Sequence, residues 1–166
     1  MAKFYSVGVG AGDGSYITLG ALRALEQADI IAVPVKKYGE KSTALEIIRK
    51  EFDTDKKEIS ELEFRMSGDT KIREESRRNS AEKIISALKD GKDVAMITLG
   101  DVSVYSTCTY VHNAVKNAGF ELEIIPGITS FCAAADKAQI SLCEGNESVA
   151  IIPSLKIGRA SCRERV

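Results

Sequence analysis

Apolar residues in this chain fall into short runs separated by longer stretches with helical spacing. Lys3 to Val9, Asp29 to Val35, Ile59 to Met66, Val94 to Thr98 and Phe120 to Ile125 read as strands. Between them, Thr18 to Ala28 places Leu19, Leu22, Ala24 and Leu25 on one side of a helix. Ser42 is placed to cap a second helix running to about Phe52. Asp69 to Asp90 reads as a long charged helix interrupted near Asn79-Ser80, and Tyr105 to Lys116 and Ile128 to Ala135 as two more. Val149 to Ile152 is expected to form one further short strand before Pro153. This alternation predicts an α/β fold with a mostly parallel five-stranded sheet and helices on both faces.

In such folds ligands sit at the carboxyl ends of the strands. Three strand ends here run into glycine-bearing loops: Gly8 to Asp13, Leu99 to Thr107, and Pro126 to Ser130. The central one, Leu99-Gly100-Asp101-Val102-Ser103-Val104-Tyr105-Ser106-Thr107, joins a close-approach glycine to short polar side chains. Taken alone it is equally an ordinary Gly-Asp turn. The first loop, Gly8-Val9-Gly10-Ala11-Gly12-Asp13, fails the dinucleotide fingerprint, because Asp13 stands where its third glycine belongs. Three such loops on one rim point to a small-molecule site.

Composition narrows the classes further. A 44% hydrophobic, 28% charged chain of 166 residues is an ordinary globular protein with room for a core. Net charge is -1, and the pairs Lys36-Lys37 and Arg77-Arg78 read as solvated faces rather than a nucleic-acid footprint. No run is long enough to span a bilayer and no signal-peptide pattern opens the chain, so a cytoplasmic location is expected. Cys108, Cys132, Cys143 and Cys162 form no C-x-x-C pair, and neither a metal site nor a redox pair is expected. The one histidine, His112, reads as structural rather than as part of a Ser-His-Asp triad.

The expected division is an N-terminal domain over 1–145, the start of a second α/β domain over 146–156, and a non-native tail over 157–166. The tail, Ile157-Gly158-Arg159-Ala160-Ser161-Cys162-Arg163-Glu164-Arg165-Val166, matches a translated sequencing adapter. On that expectation most of the second domain is missing.

Taken together, the three loops resemble the tetrapyrrole methylase family, which uses S-adenosylmethionine. Gly8, Gly10, Gly12 and Asp13 match its G-x-G-x-G-D loop, followed by Ile17-Thr18. Gly100 and Asp101 match its G-D-P loop, with Val102 in place of Pro, a departure expected to loosen that loop. Pro126-Gly127-Ile128-Thr129-Ser130 match its third motif. Within the family, the wording around Gly100 and Pro126 looks most like the branch that methylates C-20 of precorrin-2, or of cobalt-factor II, in cobalamin synthesis. The resemblance covers residues 1 to about 156.

It implies an S-adenosylmethionine-dependent C-methyltransferase, a tetrapyrrole substrate and a homodimer. It also implies that Ala11, Leu99, Gly100, Asp101, Val104, Thr129 and Ser130 contact the cofactor. The loop of Gly8, Gly10, Gly12 and Asp13 is expected to face the tetrapyrrole. No catalytic residue is assigned. A methylase acting on another ring position of a precorrin or of uroporphyrinogen would share every motif. An inactive, truncated binding fragment is the other alternative.

Overall fold

The computed structural model describes residues 2–152. Its five strands are β1 (Lys3–Gly8), β2 (Ile30–Val35), β3 (Glu58–Glu63), β4 (Val94–Thr98) and β5 (Glu121–Ile125). They form one all-parallel sheet in the order β3-β2-β4-β1-β5. The helices are α1 (Leu19–Gln27), α2 (Thr43–Ile48), α3 (Thr70–Lys89), α4 (Thr109–Asn117) and α5 (Ser130–Ala138).

The strand order explains the hydrophobic pattern. β4 lies in the middle of the sheet and every one of its residues is buried. β3 and β5 are the edges, and all but one residue of each is partly or fully exposed. One face packs Leu25, Ile47 and Ile48 of α1 and α2 against Val7, Ile31 and Ile97. The other packs Ile84, Leu88, Val111 and Val115 of α3 and α4 against Phe4, Ala32 and Met96. From β1 the chain winds outward through β2 and β3, and from β4 it winds the other way to β5. The β1/β4 pair is therefore the point where the winding reverses.

Local capping sets the helix starts. Thr18 Oγ1 accepts from the Ala21 N–H at 3.1 Å, and Ser42 Oγ from the Leu45 N–H at 3.4 Å. Several expected boundaries differ: β3 ends at Glu63 rather than Met66, α5 runs Ser130–Ala138 rather than from Ile128 to Ala135, and three helix differences have a visible cause. α2 stops at Ile48 rather than Phe52, because the next residues tighten into turns with Lys50 bonded to Ile47 and Glu51 to Ile48. α3 runs unbroken through Asn79-Ser80. Its serines do not compete with the helix there: Ser80 Oγ donates to the Glu63 carbonyl at 3.2 Å, and Ser76 Oγ accepts from the Arg65 N–H at 3.2 Å. α4 starts at Thr109, not Tyr105. The Ser106 hydroxyl accepts the Cys108 N–H at 3.1 Å and Thr109 Oγ1 donates to the Ser106 carbonyl at 2.8 Å, which holds a turn ahead of the helix.

The chain divides into two compact units, the first through Ala133 and the second from Ala134. The sheet and every loop at its carboxyl edge belong to the first. In the second, the end of α5 is closed by Gln139 bonding to Asp136 and Ile140 to Ala135. The strand expected at Val149 to Ile152 is not formed, since no strand among the described residues pairs with it. The expectation of a non-native tail over 157–166 lies outside the described residues.

His112 is structural, as the sequence implies. Its Nε2 lies 2.9 Å from Ser6 Oγ, and its ring meets Phe4 edge-on at 6.4 Å between centroids. Burial, helped by Lys116, holds its imidazole below the ordinary value of 6.5. The folded state thus favours neutral His112. The stability it contributes is complete above the unfolded value and is lost as pH falls through the folded one. Urea midpoints measured at pH 7.5 and 5.0 should fall less in His112→Gln than in the parent chain.

Packing gives a second expectation. A Cβ on Gly8 would lie 2.7 Å from the Gly127 nitrogen and 2.8 Å from the Gly100 oxygen, both backbone. Gly68 has open space around it. Gly8→Ala should lower stability by about 1–3 kcal/mol, and Gly68→Ala by a few tenths at most, as read by urea denaturation.

Candidate functional site

The loops after β1, β4 and β5 meet at the reversal point of the sheet. Gly10 and Gly100 form an antiparallel bridge: the Gly10 N–H donates to the Gly100 oxygen at 3.1 Å, and the Gly100 N–H to the Gly10 oxygen at 2.8 Å. Both glycines have positive φ, 79° and 73°, which an L side chain resists. The third loop is drawn in by a side chain. Asp101 Oδ2 accepts from the Gly127 N–H at 2.8 Å, while Oδ1 accepts from the Ser103 N–H at 2.8 Å and from the Ser103 hydroxyl.

Burial alone would push the Asp101 carboxyl up. The bonds from Ser103, Gly127 and Val102 outweigh it, and the group sits below the usual carboxylate range. Asp101 is therefore ionised at neutral pH and committed to holding backbone donors. Val102, which replaces the expected proline, is buried to 1% exposure in the face packed by α3 and α4. The loop is tethered by that side chain and by Asp101.

These loops enclose a cavity of about 340 Å3. All seven residues expected at a cofactor line it: Ala11, Leu99, Gly100, Asp101, Val104, Thr129 and Ser130. Gly12, Thr43 and Phe131 complete the wall. Thr43 and Phe131 escaped the sequence reading. Phe131 adjoins the third motif and could have been included. Thr43 is distant in sequence and arrives only because α2 begins at the same sheet edge.

The residues expected to face a tetrapyrrole separate. Gly8 and Gly10 are buried in backbone packing. Asp13 caps a single 3-10 turn, accepting from the Ser15 N–H at 2.9 Å and its hydroxyl at 2.8 Å. Gly12 alone of the four lines the cavity.

Two features suit the cavity to a small ligand with a polar group. Thr129 Oγ1 is buried and has no hydrogen-bond partner among the described residues, an open polar position in a wall that is otherwise satisfied. The remaining wall joins apolar Leu99, Val104 and Phe131 to backbone groups, which fits a ligand with both a hydrocarbon and a charged end. Among the described residues no cluster of His, Cys, Asp or Glu is placed to hold a metal. Cys108 is buried with its thiol pushed up, 3.7 Å from the Met96 oxygen, which leaves it an inert core residue.

Comparison with known proteins gives these loops a family. The chain is 45% identical over 154 residues to a probable cobalt-precorrin-2 C(20)-methyltransferase of Methanocaldococcus jannaschii, across 93% of this chain and 65% of that protein. It is 33% identical over 162 residues to the cobalt-precorrin-2 C(20)-methyltransferase of Salmonella typhimurium, across 95% of this chain and 68% of that one. Among solved structures, a cobalamin biosynthetic cobalt precorrin-4 methyltransferase superposes with a TM-score of 0.64 at 25% identity, over 86% of this chain and 53% of that chain. A putative cobalamin synthesis related protein of Corynebacterium diphtheriae superposes at 0.70 with 21% identity, over 89% of this chain and 62% of that chain. The chain spans about two thirds of the length of these curated relatives and 53–62% of these solved ones. A model of the Tetrapyrrole (Corrin/Porphyrin) Methylases matches residues 3–165, and the chain belongs to that family.

Proposed function

We propose that this chain binds S-adenosylmethionine in the cavity between the β1, β4 and β5 loops and serves methyl transfer to C-20 of precorrin-2 carrying cobalt. The observation that carries the reading is the convergence of all seven expected contact residues on one cavity. The cobalt-containing acceptor is favoured because the relatives at 45% and 33% identity are named for cobalt-precorrin-2, whereas one named for precorrin-2, from Sinorhizobium sp, is 27% identical.

The donor supplies a methyl group on a positive sulfur. The sulfur–carbon bond breaks as a carbon–carbon bond forms, the electron pair stays on sulfur, and the ring carbon's proton leaves to solvent. In-line displacement depends chiefly on placement. Here the chain's part is to hold and to exclude water. Leu99, Val104 and Phe131 supply an apolar wall. Thr129 offers its hydroxyl, and Asp101 keeps the Gly127 backbone in place. Since Asp101 already accepts from three donors, it is a positioning residue and not the base. A homodimer and a cytoplasmic location belong to the same reading. No helix among the described residues is long and apolar enough to cross a membrane.

Calorimetric titration with S-adenosylhomocysteine tests the binding claim without requiring turnover. Saturable one-site binding is expected, and a folded protein that fails to bind overturns the reading. Asp101→Asn should weaken binding tenfold or more, because an amide cannot accept from all three donors. In the parent chain binding should be flat across neutral and mildly acid pH and fall only below the ordinary carboxylate range, as the depressed Asp101 carboxylate takes up a proton.

A further inference from the structure

The loop after β4 is held at two points, and only one of them lies in the cavity. Asp101 lines the cavity and ties the start of the loop to Gly127 and Ser103. Further on the chain is held again by Ser106, which is buried to 6% exposure and lines no part of the cavity. Between the two clamps sits Val104, which belongs to the cavity wall.

The Ser106 hydroxyl has two partners. It donates to Thr98 Oγ1, on the last residue of β4, at 3.1 Å, and accepts the Cys108 N–H at 3.1 Å. The second bond excludes a helical alternative. Tyr105 to Lys116 carries helical spacing, and in a helix begun one turn earlier the Cys108 N–H would donate to the Val104 carbonyl, four residues back. With that donor taken by Ser106, α4 begins only at Thr109. The first bond fixes where the turn sits, because β4 is buried along its whole length. Tyr105 has to join the Asp101 turn to this pinned point. It does so at a φ of 49°, which a bulky side chain resists. Packing of the ring does not account for that conformation, since Tyr105 is 71% exposed. The strain is held by the clamps on either side.

Resting on the methyl-donor reading above, we propose that Ser106 is a positioning residue for the donor, acting through Val104. Its two bonds keep Tyr105 left-handed, and a left-handed Tyr105 turns the chain so that Val104 stays in the cavity wall. Without the hydroxyl, the Cys108 N–H is free for the Val104 carbonyl and Tyr105 relaxes to helical values. α4 then gains a turn, and Val104 is drawn out of the wall.

Calorimetric titration of S-adenosylhomocysteine into variants of the 166-residue protein tests this. Ser106→Ala should weaken binding about fivefold or more and add helix in far-ultraviolet circular dichroism. Adding Tyr105→Gly to Ser106→Ala should restore most of the lost affinity, because glycine takes a positive φ without a clamp. Thr98→Val keeps the shape of the side chain and removes only the first bond. It should weaken binding about threefold, be restored in the same way, and carry the test where Ser106→Ala does not fold. Ser80→Ala deletes another buried hydroxyl, the one that donates to the Glu63 carbonyl, and should cost stability without altering affinity. Affinity that is unchanged in both Ser106→Ala and Thr98→Val, or lost in them and not recovered by Tyr105→Gly, overturns this assignment alone. A folded parent chain that fails to bind S-adenosylhomocysteine overturns the methyltransferase reading beneath it.

Discussion

The architecture depends on three backbones touching. Gly8, Gly100 and Gly127 pack so closely that a methyl group on Gly8 or Gly127 would collide with the main chain of the others. Each sits where a strand gives way to a loop, so the contact decides how all three loops leave the sheet. The Gly10–Gly100 bridge extends it on one side and the Asp101–Gly127 bond on the other. Of the three, Gly100 also lines the cavity, so the junction carries the cavity wall directly. The positions of these three backbones follow from the sheet and not from rotamer choice.

Beneath that junction the sheet carries a buried polar line. Ser106 Oγ donates to Thr98 Oγ1 at 3.1 Å, and Ser6, fully buried, meets His112. These groups join β1, β4 and the start of α4 in a region that is otherwise apolar. Satisfied polar contacts of this kind fix register in a way that interchangeable aliphatic packing does not. They support the loop after β4 from below while Asp101 ties it from above.

Much of this was legible in the chain itself. The five strands could be read because β2 and β4 are buried on both faces and appear as unbroken apolar runs. The seven cavity residues could be read because they lie in three short glycine-bearing motifs, each at a strand end. Apart from Phe131, which adjoins the third motif, what escaped depended on partners remote in sequence. Thr43 reaches the cavity through the placement of α2. The α3 serines look like helix breaks until β3 is seen to occupy their hydroxyls. Tyr105 carries a helical pattern, but hydroxyl bonds around Ser106 keep it outside α4. Val149 to Ile152 has strand composition but no ladder to join. Gly8 and Gly10 are expected to face a ligand, whereas what packs against them here is other parts of the chain.

A junction built from three glycines separates two kinds of evolutionary freedom. Changes to the glycine junction alter every loop at once and are open only to residues without a side chain. The loop after β3 takes no part in that junction and lines no part of the cavity between the β1, β4 and β5 loops, so it can be lengthened, recharged or reshaped at little cost to it. A scaffold divided in this way allows one branch of a family to diverge from another by rewriting a rim, with the common chemistry inherited intact.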